Sequence, residues 1–198
     1  MNSRPWARAL IVAGVALAAA GCGIAPVGPG AGPPPPARRL MSPITVQVMR
    51  SGSPATGGVC PAGWFAVVQP PAPPGAGSPG NPIAVSPCYR PAGSPVRITS
   101  AGIGPVVTFK PPPGHPGAPT TYGFAVAVPG TAAPAVTAII KKAYDSGDAV
   151  GVSVGGKLWE APQVVKPFPG QQLGMTTMTR KLALQVHQLL VGPVSSPA

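Results

Sequence analysis

Proline is spread along this chain in a way that decides where a folded core can form. Of its 32 prolines, 25 lie in residues 1–119 and seven in residues 120–198. Proline fixes φ and offers no backbone N–H, so regular structure confines it to edges, first turns and loops. Residues 1–119 can therefore supply short strands between loops, and the long periodic elements are expected after residue 120. Proline and glycine together make up about 30% of the 198 residues, the level at which low-complexity sequence becomes the default reading. Charged residues are 9%, against roughly 25% in an ordinary domain. With three acids (Asp145, Asp148, Glu160) and two histidines (His115, His187), a carboxylate-rich metal cage is excluded and a paired-carboxylate hydrolase is disfavoured. The length leaves room for one ordinary domain.

The first residues have the pattern of an export signal. Arg4 and Arg8 give a positive start, and residues 9–20 form an apolar run of about a dozen residues. A transmembrane helix needs ~20 apolar residues, so this run is too short to be one. It ends in Ala19-Ala20-Gly21-Cys22. Small residues before a cysteine at this place resemble the lipobox of bacterial lipoproteins, in which the cysteine is lipidated and becomes the first mature residue. Ala19 departs from the leucine common there. The alternative is an ordinary secretory peptide beside an incidental Cys22. Residues 1–21 are read as the signal peptide, and Cys22 as the lipidation site anchoring the chain at the outer face of the cell membrane.

The remaining 177 residues carry 12 basic and three acidic side chains, a net charge of +9. Basic charge adds to attraction toward an anionic membrane, with about 1 kcal/mol per Lys or Arg close to the surface. Nucleic acid is the other usual partner of so basic a chain. No stripe of Lys and Arg interleaved with aromatics occurs, and an exported protein rarely meets nucleic acid, so that partner is set aside. Cys60 and Cys88 form an even pair, which outside the cytoplasm reads as a disulfide. Closing that loop would stabilise by roughly 3.6 kcal/mol in the chain-entropy description.

Residues 22–43 read as a Pro/Gly-rich tether, with Pro33 to Pro36 favouring an extended polyproline spacer. Residues 44–191 read as the folded domain and 192–198 as a tail. Ile44, Val46 and Val48 alternate as in a half-buried strand. Shorter strand candidates are 64–68, 83–85, 96–98 and 106–109. Residues 122–128 alternate again, with Tyr122, Phe124, Val126 and Val128 on one face. Val136, Ile139, Ile140, Ala143 and Tyr144 then fall at helical spacing. Thr131 is the expected N-cap, Pro134 fits the first turn and Gly147 the stop. Residues 149–154 and 157–160 form a hairpin around Gly155-Gly156. A short strand follows at 173–176. Thr179 caps a second helix with Leu182, Val186, Leu189 and Leu190 inward, ended by Gly192-Pro193. The expected class is α+β, a mainly antiparallel sheet with two amphipathic helices on one face.

Three segments, in order, resemble the head subdomain of the first periplasmic domain of SecD, the membrane component of the bacterial preprotein translocation machinery. Cys88-Tyr89-Arg90 with Ile98-Thr99 and Ala101 is similar to a tyrosine-led segment and its following "LT…A". Residues 154–162, from Val154-Gly155-Gly156-Lys157 to Ala161-Pro162, are similar to "LDGKVxSAP". Pro167-Phe168-Pro169-Gly170 with Met178-Thr179 and Ala183 is similar to "PIxGG…FT…A". The resemblance spans residues 44–191 and is strongest over 83–191. It departs at Gly155, where SecD usually has Asp, and at Arg180 and Lys181, where SecD usually has acids. It also lacks the later transmembrane helices and their carboxylates, so proton coupling has no counterpart.

The sequence contains no G-x-S-x-G elbow, H-E-x-x-H, Walker loop or Cys-x-x-Cys. His187 adjoins an apolar stripe, and His115 lies in a Pro/Gly loop. No catalytic residue, metal ligand set or cofactor is assigned. The SecD resemblance implies a module that engages emerging polypeptide, with Sec components among its partners. Strand addition at an exposed sheet edge or contact with an apolar groove would serve such binding. Trp159 and Phe168 are the aromatics to test as contacts, with ordinary packing against the two helices the equal alternative. The competing reading is a small-ligand or lipid-binding lipoprotein with a pocket among Phe124, Val126, Ile140 and Val186. A third, an envelope structural protein, would use only the tether and the charge.

Overall fold

A computed structural model describes residues 35–52, 59–68, 87–109 and 120–192. The strands are β1 (Arg38–Ser51), β2 (Phe65–Ala66), β3 (Cys88–Pro91), β4 (Val96–Ile103), β5 (Val107–Phe109), β6 (Thr121–Ala127), β7 (Ala149–Val154), β8 (Lys157–Glu160) and β9 (Gln172–Met178). Helix α1 (Ala133–Ser146) lies between β6 and β7, and α2 (Arg180–Val191) follows β9. Every strand pairing is antiparallel. The α+β class expected from the sequence is the class observed. Cys22, His115 and the candidate strand at 83–85 lie outside the described residues.

β1 is the spine. One side pairs first with β4 and then with β3, and the other side pairs with β7. Opposite β7 it sets Ile44 against Val154, Val46 against Val152 and Val48 against Val150, three β-branched pairs on one face. Both helices cover that face. Val136, Ile140, Val186 and Leu190 join those pairs in one cluster with Ile98, Phe124, Val126 and Leu173, each at most 2% exposed. The positions named for a ligand pocket (Phe124, Val126, Ile140, Val186) are packing residues of this core.

β1 begins at Arg38, six residues inside the segment read as tether. Arg38 and Arg39 pair with Ala101 and Ser100, an irregularity follows, and regular pairing resumes at Ile44. Leu40 is buried in the core, so the domain boundary precedes the Ile44 pattern that announced it.

The helix boundaries follow local chemistry. α1 is capped at Ala132 without a side-chain bond, not at Thr131, because the N–H groups of Ala132 and Ala133 both donate to the Pro129 carbonyl. A backbone turn thus satisfies donors that Thr131 was expected to serve. Gly147 ends α1 at φ 67°, and its N–H donates to the last-turn carbonyls. Thr179 caps α2, accepting from the Leu182 N–H at 3.3 Å. Gly155 and Gly156, at φ 59° and 77°, make the tight turn between β7 and β8. Two expected inward residues face out instead: Tyr144 is 45% and Leu189 36% exposed.

The opposite face of β1 carries a second, smaller core. Met49, Ala149 and Leu158 are buried there, with Val67, Tyr89 and Ala161 packed against them. A Cβ on Gly151 would lie 2.3 Å from Met49 Cγ and 3.1 Å from Leu158 Cδ1, so the missing side chain is what admits Met49. β2 pairs with β3 on one side, and the Val68 N–H donates to the Leu158 carbonyl of β8 on the other. The segment around β2 therefore closes this core like a lid strand, and the Cys60–Cys88 disulfide ties its start to β3.

Candidate functional site

The residues singled out by sequence separate sharply in space. Cys60 and Cys88 are bonded, with Cα atoms 5.6 Å apart, as the even pair suggested. Trp159 is not a surface aromatic. It is 3% exposed in the main core, and its Nε1–H donates to the Val154 carbonyl at 3.0 Å. The alternation of β8 explains this: Leu158 enters the small core and Trp159 the large one. Phe168 is half-buried and packs on the main core. Its loop is anchored at Gly170, whose N–H donates to Thr137 Oγ1 at 2.8 Å. A Cβ there would lie 2.6 Å from the Thr137 backbone nitrogen. The Pro-Phe-Pro-Gly segment is thus a docking clip onto α1, and neither aromatic stands free to grip a partner.

Exposed apolar surface lies elsewhere. β5 stands at the end of the strand order, paired with β6 alone among the described residues. Val107 is 44% and Phe109 39% exposed. They alternate, opposite Gly123 and Thr121, on the sheet face away from the helices; Phe124 and Val126 of β6 hold the helix-side face. Such an edge offers unpaired backbone groups flanked by two apolar side chains. Residues 106–109 could be read from sequence as a short strand, but not as an edge, because order in a sheet is not encoded locally.

Glu160 was missed as anything beyond a hairpin residue. It is 5% exposed, and its Oε1 accepts from the Thr176 N–H of β9 at 2.8 Å. A carboxylate at this place links β8 to β9, strands that do not pair with each other. No local pattern marked it, because its partner lies 16 residues on, in another strand.

The other two acids are engaged at the end of α1. Asp145 accepts from Lys141 at 2.6 Å, and Asp148 faces Arg50 at 3.5 Å. Arg90, directly across from Arg50, stacks its guanidinium 5.4 Å from the Trp64 ring centroid. His187 of α2 lies edge-on to Phe124, ring centroids 5.5 Å apart, with Nε2 3.2 Å from the Gly104 carbonyl. Burial lowers its pKa below 6.5, the carbonyl opposes that shift, and the Arg38 charge adds to it. Among the described residues no group of three or more His, Cys, Asp or Glu side chains converges on a common point.

No family model, curated protein or solved structure matches this chain.

Proposed function

We propose that this protein is a lipid-anchored, exported binding module, non-enzymatic, that takes up extended polypeptide outside the membrane by strand addition at β5. The β5 edge is the observation that carries the reading. Among the described residues one side of this three-residue strand is unpaired, with Val107 and Phe109 exposed beside it. An added strand gains affinity from main-chain hydrogen bonds and selectivity from pockets for alternate side chains. The lipobox-like Ala19-Ala20-Gly21-Cys22 supports anchoring at the outer membrane face, and the collinear SecD-like segments support a role accessory to protein export. The contact is assigned to β5 rather than to Trp159 and Phe168, because those two serve the interior.

Hydrogen exchange on the full chain, with and without an unfolded preprotein-like polypeptide, tests this. New protection is expected at 107–109, and Phe109→Asp should abolish it while leaving the fold intact by circular dichroism. Protection absent from that edge, or unchanged by Phe109→Asp, overturns the proposal.

A further inference from the structure

We propose that the outer face of α2, together with the start of β1, rests on an anionic lipid surface. The exposed stripe of α2 carries Arg180 and Lys181, then Leu184 at 38% and Leu189 at 36% exposure. Met41 of β1, 73% exposed, sits at the far end of the helix, where a Cβ on Gly192 would lie 3.8 Å from its Cγ. Arg38 is close enough for its charge to act on His187. Two cations in the first turn, then exposed Leu184 and Leu189 with Gln185 and Gln188 among them, and Met41 at the far end, give this face the mix of basic and aliphatic surface that suits a lipid interface.

Charge bookkeeping over the whole chain points to an anionic occupant. Asp145 and Asp148 are held by Lys141 and Arg50, and Glu160 is buried against β9. No side-chain carboxylate remains to neutralise the α2 stripe. Arg180 and Lys181 also stand in the first turn, where no acid is present and where the helix dipole disfavours cations. An anionic surface against that turn offsets both costs. The occupant is a membrane rather than a nucleic acid because the cationic turn is followed by exposed Leu184, Leu189 and Met41, aliphatic surface that a phosphate backbone does not reward. Its position fits as well. The stripe adjoins the root of β1, and the 16 residues from Cys22 to Arg38 reach at most about 55 Å. In this pose the sheet face bearing Val107 and Phe109 points away from the bilayer. The inference rests on the lipid-anchor reading for where the membrane is, and its test separates the two.

A bimane probe at Gln185→Cys, within the stripe, is compared with one at Arg97→Cys, which lies on the sheet face opposite the helices. The full chain is reconstituted on vesicles of phosphatidylcholine with or without phosphatidylglycerol, doped with a spin-labelled lipid as quencher. Quenching at 185 well above that at 97 is expected with phosphatidylglycerol, falling with salt. It should fall at least about twofold in Arg180→Gln/Lys181→Gln, in line with the attraction such cations feel near an anionic surface. Attachment with equal quenching at both probes overturns this proposal and leaves the anchor standing. Failure to attach even to phosphatidylglycerol vesicles overturns both. Retention on duplex DNA as tight as on those vesicles would reassign the stripe to nucleic acid.

Discussion

The two faces of β1 are stabilised in different ways. Toward the helices, Ile44, Val46 and Val48 belong to a cluster of 24 buried residues drawn from β1, β4, β6, β7, β8, β9 and both helices. Toward the other side, Met49 shares its cluster with two fully buried partners, Ala149 and Leu158. Apolar burial contributes roughly 25 cal/mol per Å², so the first face can hold its elements by packing alone. The second cannot, and it depends on a disulfide, a two-residue strand and a missing side chain at Gly151. Where a Pro/Gly-rich half cannot supply apolar area, cross-linking and close approach take over.

The largest effect should come from the large core. Phe124→Ala is expected to cost about 3–5 kcal/mol in urea unfolding, the range for deleting a buried phenyl ring. A cost under about 1 kcal/mol would mean the helix-side face is loosely packed and the contrast is false. Next is the disulfide. Reduction should remove about 3.6 kcal/mol by the loop-closure argument. The sharper measurement combines it with Leu158→Ala, which should cost clearly less in the reduced protein than in the oxidised one. Phe124→Ala should cost the same in both. Equal sensitivity of the two substitutions to reduction would merge the two cores into one.

Glu160 joins the regions, and its replacement should cost less than either change. Glu160→Ala leaves the partly buried Thr176 N–H without this acceptor, at about 1–3 kcal/mol. Glu160→Gln keeps an acceptor oxygen and should cost less. If Gln is as damaging as Ala by urea midpoint, the charge rather than the hydrogen bond is what matters at this junction.

How much of this could be read beforehand follows the same division. The helices, the 122–128 strand, the Gly155-Gly156 turn and the Thr179 cap were legible because their signals are periodic or local. The disulfide was legible because two cysteines remained once Cys22 was assigned to the anchor. The small core was not, since Met49, Ala149 and Leu158 are 100 residues or more apart except within the β7–β8 hairpin, and a lone Met beside a valine strand looks like its exposed face. Trp159 stayed open between partner contact and packing for a related reason: both faces of β8 are buried, so alternation could not mark one of them as outside. The N-terminal extension of β1 escaped notice because Arg38, Arg39 and Pro43 suppress the apolar pattern while the backbone still pairs with β4.

The smallest predicted effect concerns the rim of the large core. His187 has its pKa lowered below 6.5, chiefly by burial, with Arg38 adding repulsion and the Gly104 carbonyl opposing. The unfolded chain therefore takes up a proton at this residue before the folded one does. Its neutral form contributes stability above about pH 6.5, and that contribution is lost as pH falls through 6.5 toward the lowered value, then levels off. His187→Gln should flatten the stability profile in that window, and Arg38→Gln should shrink the slope without removing it. A slope just below pH 6.5 that survives His187→Gln would have to come from a group other than this histidine. A vanished slope would show that the large core, self-sufficient in apolar area, still has one edge that responds to pH.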